Sequence, residues 1–302
     1  MKNILLTGAT SYLGKKLIQV LSSNEEYSLL KTALHSDQES NIVKVDLTQI
    51  EDIKNVLSQF TPAIIIHTGA LVNLSREFKI GKECLNVNTI GTMNLLESIK
   101  NNPACIFIYI SSEEVYGNGP IPFKESQILS PPSPYAISKV AAENFITWYA
   151  KEYRLKSVII RFGTFYGPEL PENKYFSQTI GHLLKNEKVP INSGKKKRDY
   201  LYIDDAVELI LKLLKADNFA AHQPLVLNAG GGKSYSLLEV ITLLKKLVNS
   251  ESEMQIGVIP DIITEREEWL MDIGNAYEVL EWKPEIDLAE GLKRTVEYFK
   301  NL

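Results

Sequence analysis

Residues 3–14 read NILLTGATSYLG. An apolar run, Asn3–Leu6, ends in a turn that carries Gly8, and Gly14 follows six positions later. Ser11 stands at the middle place of a G-x-x-G-x-x-G spacing. The apolar run predicts a buried strand and residues Leu13–Leu21 a helix, so both glycines fall at a strand-to-helix turn. Glycine there admits positive φ and lets the backbone approach a pyrophosphate closely. The helix that follows presents free N–H groups and its positive dipole end to an anion. In this context the spacing reads as the phosphate end of a dinucleotide site; a plain strand-to-helix turn is the bland alternative.

The pattern continues outward. Further apolar strands are expected at Leu30–Leu34, Ile42–Val45, Ala63–His67, Cys105–Ile110 and Ser157–Arg161. Helical periodicity fills the gaps at Ile50–Phe60, Leu85–Lys100 and Pro134–Tyr153. Strands that are apolar throughout and separated by helices predict a parallel sheet covered on both faces. The expected class is α/β, a doubly wound parallel (Rossmann) sheet with ligands at the carboxyl ends of its strands. After Phe162 the rhythm breaks at Pro168, Pro171 and Pro190. Helices are expected near Phe176–Lys185, Asp205–Lys215 and Leu237–Asn249. We expect a dinucleotide-binding domain over 1–165, with 198–215 returning to it, and a smaller mixed α/β substrate-binding lobe over 166–302.

Composition narrows the partners. A net charge of −4 in 302 residues offers no basic surface for nucleic acid. Two cysteines, Cys84 and Cys105, make no disulfide framework and point to a reducing cytoplasm. The four histidines lack metal-ligand spacing, so no metal is expected. No apolar run is long enough for a membrane span, and MKNILLTG reads as a buried strand, not a secretion signal.

The fifth strand runs into SSEEVYG, residues 111–117, which places hydroxyls and carboxylates at a strand's carboxyl end. Downstream, SPYAISK (133–139) puts Tyr135 and Lys139 one turn apart near a helix start. Tyr12/Lys16 and Tyr27/Lys31 share the spacing but not the setting. A tyrosine with a pKa near 10 needs help to act as a base at neutral pH. A neighbouring ammonium, and a nicotinamide cation, would supply it. For the adenosine end, Asp37 sits late after the second strand. Asp46 is better placed, and a helix-capping role for it weighs equally.

With TGATSYLG, HTGA (67–70), NVNTIGTMNLLES (86–98), SSEEVYG, SPYAISKVAAEN, RFGTFYGP (161–168), RDYLYIDDAVE (198–208) and EWKPEIDLAEGL (281–292) in this order, the chain resembles the extended short-chain dehydrogenase/reductases of the nucleotide-sugar epimerase/dehydratase group. The resemblance spans nearly the whole chain. It implies catalytic positions at Ser112, Tyr135 and Lys139, with Glu114 beside them. It implies a cofactor, NAD with NADP left open, held by Gly8, Thr10, Ser11, Tyr12, Leu13, Gly14, Asp46, Leu47, Thr68, Gly69, Ala70, Tyr135, Lys139 and Phe162. A nucleotide-diphosphate sugar would meet Glu113, Thr164, Arg198 and Arg266; a surface ion pair is the alternative for Arg266. Arginine suits a diphosphate because its planar fork matches phosphate oxygens. Ser11, where the group has glycine, requires an ordinary φ, and Thr164 replaces a common asparagine.

The implied chemistry is hydride transfer at sugar C4, first as an NAD-dependent epimerase. An NADPH-dependent 4-keto-sugar reductase, a 4,6-dehydratase using Glu113 and Glu114, and a non-catalytic dinucleotide-binding scaffold remain open. A homodimer through helices Leu85–Lys100 and Pro134–Tyr153 is implied by the resemblance alone.

Overall fold

In the computed structural model, residues 1–73, 75–216, 219–261 and 266–302 are described. They divide into two compact units. The first comprises Met1–Gly117, Ile128–Arg161 and Leu211–Leu227. Its strands are β1 (Lys2–Thr7), β2 (Tyr27–Ala33), β3 (Ile42–Lys44), β4 (Ile64–His67), β5 (Ile106–Ser112), β6 (Lys156–Phe162) and, after three strands of the second unit, β10 (Leu225–Ala229). They form one sheet in the order β10-β6-β5-β4-β1-β2-β3, with β1 paired in parallel to both β2 and β4. The chain therefore reverses its direction of winding between β1 and β4, where open α/β sheets bind ligands. The expected doubly wound sheet is present.

Helices α1 (Tyr12–Leu21), α2 (Ile50–Gln59), α3 (Phe78–Cys84), α4 (Gly91–Ile99) and α5 (Pro134–Tyr153) belong to this unit. A π-helical turn over Leu85–Ile90 joins α3 to α4, so the helix expected from Leu85 begins earlier, at Phe78. Leu95, Leu96 and Ile99 of α4 and Ala142 and Ile146 of α5 pack on Leu5, Ile65, Phe107 and Ile159 of the strands. Each large apolar side chain buried there contributes roughly 1.5–3 kcal/mol. Ser133 starts α5: its Oγ accepts from the Ala136 amide at 3.1 Å, and Pro134 fixes the first turn.

The second unit comprises Asn118–Gln127, Phe162–Ile210 and Asn228–Leu302. Strand β9 (Lys197–Tyr202) lies between β7 (Thr164–Tyr166) and β11 (Ser234–Ser236), and β8 (Val189–Ile191) pairs with β12 (Met254–Ile256). Helices α6 (Tyr175–Leu184), α8 (Leu237–Val248), α9 (Gly274–Leu280) and α10 (Leu288–Lys300) complete it, and α7 (Ile203–Lys215) runs from this unit into the first. The Asp205 carboxylate accepts from the amides of Glu285 and Ile286, which ties α7 to the loop before α10.

Candidate active site

The switch point of the sheet holds a cavity of about 320 Å³. Of the residues expected at a cofactor, Gly8, Thr10, Ser11, Asp46, Leu47, Thr68, Gly69 and Ala70 line it. Thr32, Ala33 and Leu34 from the end of β2, with Thr48, Leu71 and Val87, also line it. Sequence reasoning missed these because uncharged side chains at a strand end carry no signature. Tyr12, Leu13, Gly14, Tyr135, Lys139 and Phe162 are not among its lining residues.

The cradle is shaped by backbone. Gly8 has φ +70°, and a Cβ there would fall 2.5 Å from the Gly69 nitrogen. A Cβ on Gly14 would fall 2.4 Å from the Gly8 carbonyl oxygen. Ser11 has φ −67° and ψ 161°, so a serine is unstrained where the pattern has glycine. Its Oγ accepts from the Gly14 amide at 3.0 Å and lies 3.0 Å from Thr68 Oγ1, which caps α1 and joins the β1 and β4 loops. The first turn of α1 carries no acidic residue. A helix N-terminus without an acidic residue, behind a glycine turn, fits a pyrophosphate.

At the adenosine end, Asp46 does two things at once. It lines the cavity, and its Oδ1 accepts from the Thr48 amide and hydroxyl at 2.9 and 2.7 Å. Asp37 is engaged elsewhere. Its carboxylate accepts from the Glu39 amide and helps turn the chain back so that Asp37 pairs with Ile42; the bond from Ser40 holds its carboxyl below the usual range. It does not line the cavity, and Leu34 stands in the wall at the end of β2 instead.

The second cluster sits at the end of β5. The Ser112 hydroxyl accepts from the Glu114 amide at 3.2 Å and acts on the Tyr135 phenol. Tyr135 and Lys139 are buried, at 6% and 2% exposure. Lys139 Nζ donates to the Ile110 carbonyl at 2.6 Å and stands 4.4 Å above the Tyr109 ring. Burial pulls the Lys139 ammonium down to about 7, against the Glu143 carboxylate, which holds it up. Burial pushes the Tyr135 phenol well above its usual range; the Ser112 bond opposes this and Glu114 adds to it. The expected acidification of Tyr135 by Lys139 is therefore not the dominant effect in the free protein. The ammonium is engaged by a carbonyl and a ring, and desolvation of the phenol outweighs it. Glu113 is 3% exposed and Glu114 half-buried, both in a single 3-10 turn, Glu113–Tyr116.

The second unit carries the other expected residues. Thr164 opens β7, half-buried and paired with Tyr200. Arg198 and Arg266 converge on one aromatic side chain, with their guanidinium carbons 4.8 and 5.7 Å from the Trp269 ring centroid. Arg266 also lies 4.7 Å from the Phe123 ring and donates to the Gly119 carbonyl at 2.8 Å. Trp269 itself was missed in the sequence. Its backbone joins β9 through a 3.1 Å bond from its amide to the Lys197 carbonyl. Among the described residues no cluster of metal-ligating side chains is found, and no helix is long and apolar enough to cross a membrane.

The family model described as "NAD dependent epimerase/dehydratase family" matches residues 4–230. The chain belongs to that family, whose members are enzymes with NAD as cofactor. It is 29% identical to a UDP-glucose 4-epimerase of Mycolicibacterium smegmatis, over 98% of each chain. It is 28% identical to the dTDP-D-glucose 4,6-dehydratase of Bos taurus, over 99% of this chain and 89% of that one. Among solved structures, a UDP-glucose 4-epimerase from Thermotoga maritima, crystallised with UDP-glucose, superposes with a TM-score of 0.90 at 27% identity, over 99% of both chains.

Proposed function

We propose that this chain is a nucleotide-sugar 4-epimerase that inverts C4 of a nucleotide-diphosphate sugar. NAD, when bound, supplies the hydride acceptor and donor. Tyr135 takes the proton of the C4 hydroxyl and returns it, Ser112 holds the same oxygen, and Lys139 orients the ribose of the cofactor. Gly8, Ser11 and the N-terminus of α1 take the pyrophosphate, and Asp46 the adenine. Arg198 and Arg266 anchor the sugar nucleotide's diphosphate, a role supported by their shared stack on Trp269. Thr164, Glu113 and Glu114 are assigned to the sugar.

The observation that favours epimerisation over dehydration is the whole-length match in fold to a UDP-glucose 4-epimerase, at a TM-score of 0.90. Removing water across C5 and C6 requires an acid and a base beyond the pair at C4. Epimerisation needs neither. Whole-length similarity to UDP-glucose 4-epimerases supports the same choice.

The test is incubation with UDP-glucose and NAD. UDP-galactose, formed with no net reduction of NAD and no loss of mass, is the expected product. Loss of one water identifies a dehydratase, and stoichiometric NADPH oxidation with a 4-keto sugar identifies a reductase. No product from any sugar nucleotide leaves the scaffold reading.

We further assign a homodimer formed by α5 and the helical stretch Leu85–Ile99. Leu85, Ile90, Ile137 and Trp148 are 41–49% exposed on these elements, which supports a partner there. Light scattering that gives the mass of one chain would refute it. The buried free thiols of Cys84 and Cys105 support a cytoplasmic location.

A further inference from the structure

Three residues of α5, spaced by four, meet three consecutive residues at the end of β5. The Ser112 hydroxyl acts on the Tyr135 phenol, and Lys139 donates to the Ile110 carbonyl. Glu143 Oε1 accepts from the Ser111 hydroxyl at 2.6 Å. The spacing puts all three helix residues on one face, so each contact fixes the register of the other two.

Glu143 is also half of a buried ion pair. Arg161 of β6 forks onto it, with Nε 3.2 Å from both carboxylate oxygens and Nη2 2.6 Å from Oε2. Arg161 Nη1 donates to the Tyr116 hydroxyl at 2.9 Å. Glu143, Arg161 and Ser111 are each at most 5% exposed. Such pairs seldom add net stability over an apolar packing, so their presence beside a proposed acid–base pair calls for another reason.

We propose that Glu143 is a positioning residue for the Tyr135–Lys139 pair: held by Ser111 and Arg161, it locks this face of α5 to the end of β5 and sets a carboxylate one helical turn from Lys139. The inference rests on the reading of Tyr135 and Lys139 as the acid–base pair. The other groups facing Lys139 leave this task to Glu143. Tyr109 of β5, under the ammonium, is held neutral by burial. His67 of β4 is pushed down to about 3 by burial and by Lys139, so it is neutral too. Tyr135 of α5 is held protonated, and Arg161 of β6 brings positive charge. Glu143 is the carboxylate that acts on Lys139, one helical turn away.

The experiment titrates Lys139 directly, in the full chain with NAD. Lysine labelled with carbon-13 at Cε reports the ammonium by NMR, and the resonance is assigned by its loss in Lys139→Met. In Glu143→Gln the midpoint falls by about one pH unit, roughly tenfold in proton affinity. Because that variant leaves Arg161 buried without its carboxylate, Glu143→Gln/Arg161→Met is measured beside it, and its midpoint falls as well. With UDP-glucose both variants lose about tenfold in kcat, with KM within twofold of the parent. An unchanged midpoint in the folded double variant overturns the proposal, since a purely structural pair would not move it. Absence of turnover in the parent chain would sink the epimerase reading instead, while the titration still decides this one.

Discussion

Lys139 Nζ donates a 2.6 Å hydrogen bond to the Ile110 carbonyl while standing 4.4 Å above the Tyr109 ring. Both partners suit a cation, yet burial prevails and draws the ammonium down to about 7. The folded state then binds fewer protons than the unfolded state between about pH 7 and the ordinary lysine value of 10.5. Stability therefore rises with pH through that window and is lowest below it. Lys139→Met removes the buried charge. The variant without cofactor should melt above the parent at pH 7, by the equivalent of a few kcal/mol. The gap should close as pH approaches 10.5, and turnover should be lost throughout. Melting temperatures of both proteins from about pH 6 to 10.5 check this; parallel curves would refute it.

The Ser112 hydroxyl draws the Tyr135 phenol down against burial, and removal of each partner should read differently. Tyr135→Phe deletes the proton carrier and should lower kcat on UDP-glucose about 10²–10⁴-fold, the usual range for general acid–base groups. Ser112→Ala keeps the phenol but removes the hydroxyl bond that opposes its upward shift. Its kcat should fall less, and the acid limb of its pH–rate profile should move to higher pH. Neither change touches a residue lining the cavity at the switch point, so NAD affinity measured by calorimetry should stay within about threefold of the parent.

Gly8→Ala should act on the cofactor and leave the acid–base cluster alone. The left-handed backbone at Gly8 costs a residue with a Cβ roughly 1–2 kcal/mol. The added methyl would also press on the Gly69 backbone 2.5 Å away, which forces the β1 and β4 loops apart. Those loops form the cradle, so the dissociation constant for NAD should rise at least tenfold, with a melting temperature a few degrees lower. Calorimetric titration of the variant with NAD measures the first effect.

The ends of this cradle are legible in the sequence because close backbone approach demands glycine, and glycine leaves a mark. The sheet was legible for a related reason: Ile64–His67 and Ile106–Ile110 are largely buried and read as unbroken apolar runs. The strands β7, β8, β11 and β12 have three residues each, too few to show a period, and were not foreseen. The strand Leu225–Ala229 was missed although it joins the main sheet, since its short apolar run stands alone among polar neighbours. Helix α10 had a usable signal that was not read as one. Asp287 accepts from the Glu290 amide at 2.9 Å, a capped start visible as Asp-x-x-Glu before an apolar period. The Glu143–Arg161 pair was invisible because the partners are 18 residues apart on different elements, and nothing local joins them.

Asp199 offers a last prediction, in which charge and hydrogen bonding pull against each other. It has no solvent exposure and accepts from the amides of Met271 at 3.0 Å and Gly231. Such bonds favour the carboxylate, but burial outweighs them and raises the carboxyl to about 6. Between its unfolded value of 3.8 and about 6 the folded state holds more protons, so the contribution to stability is present below 3.8 and is lost as pH rises to 6. The loss is on the order of 3 kcal/mol. Each carboxylate oxygen accepts from a backbone amide, so asparagine keeps one acceptor and turns its NH2 group, which has none to offer, against the other amide. Asp199→Asn should therefore melt below the parent at about pH 4 and lack the parent's decline between about pH 4 and 6. Asp199→Ala leaves buried amides without an acceptor, each costing about 1–3 kcal/mol, and should be destabilised at every pH. Melting curves of the three proteins over about pH 4–8 decide it. A decline between about pH 4 and 6 that persists in Asp199→Asn would show that a group other than Asp199 carries it.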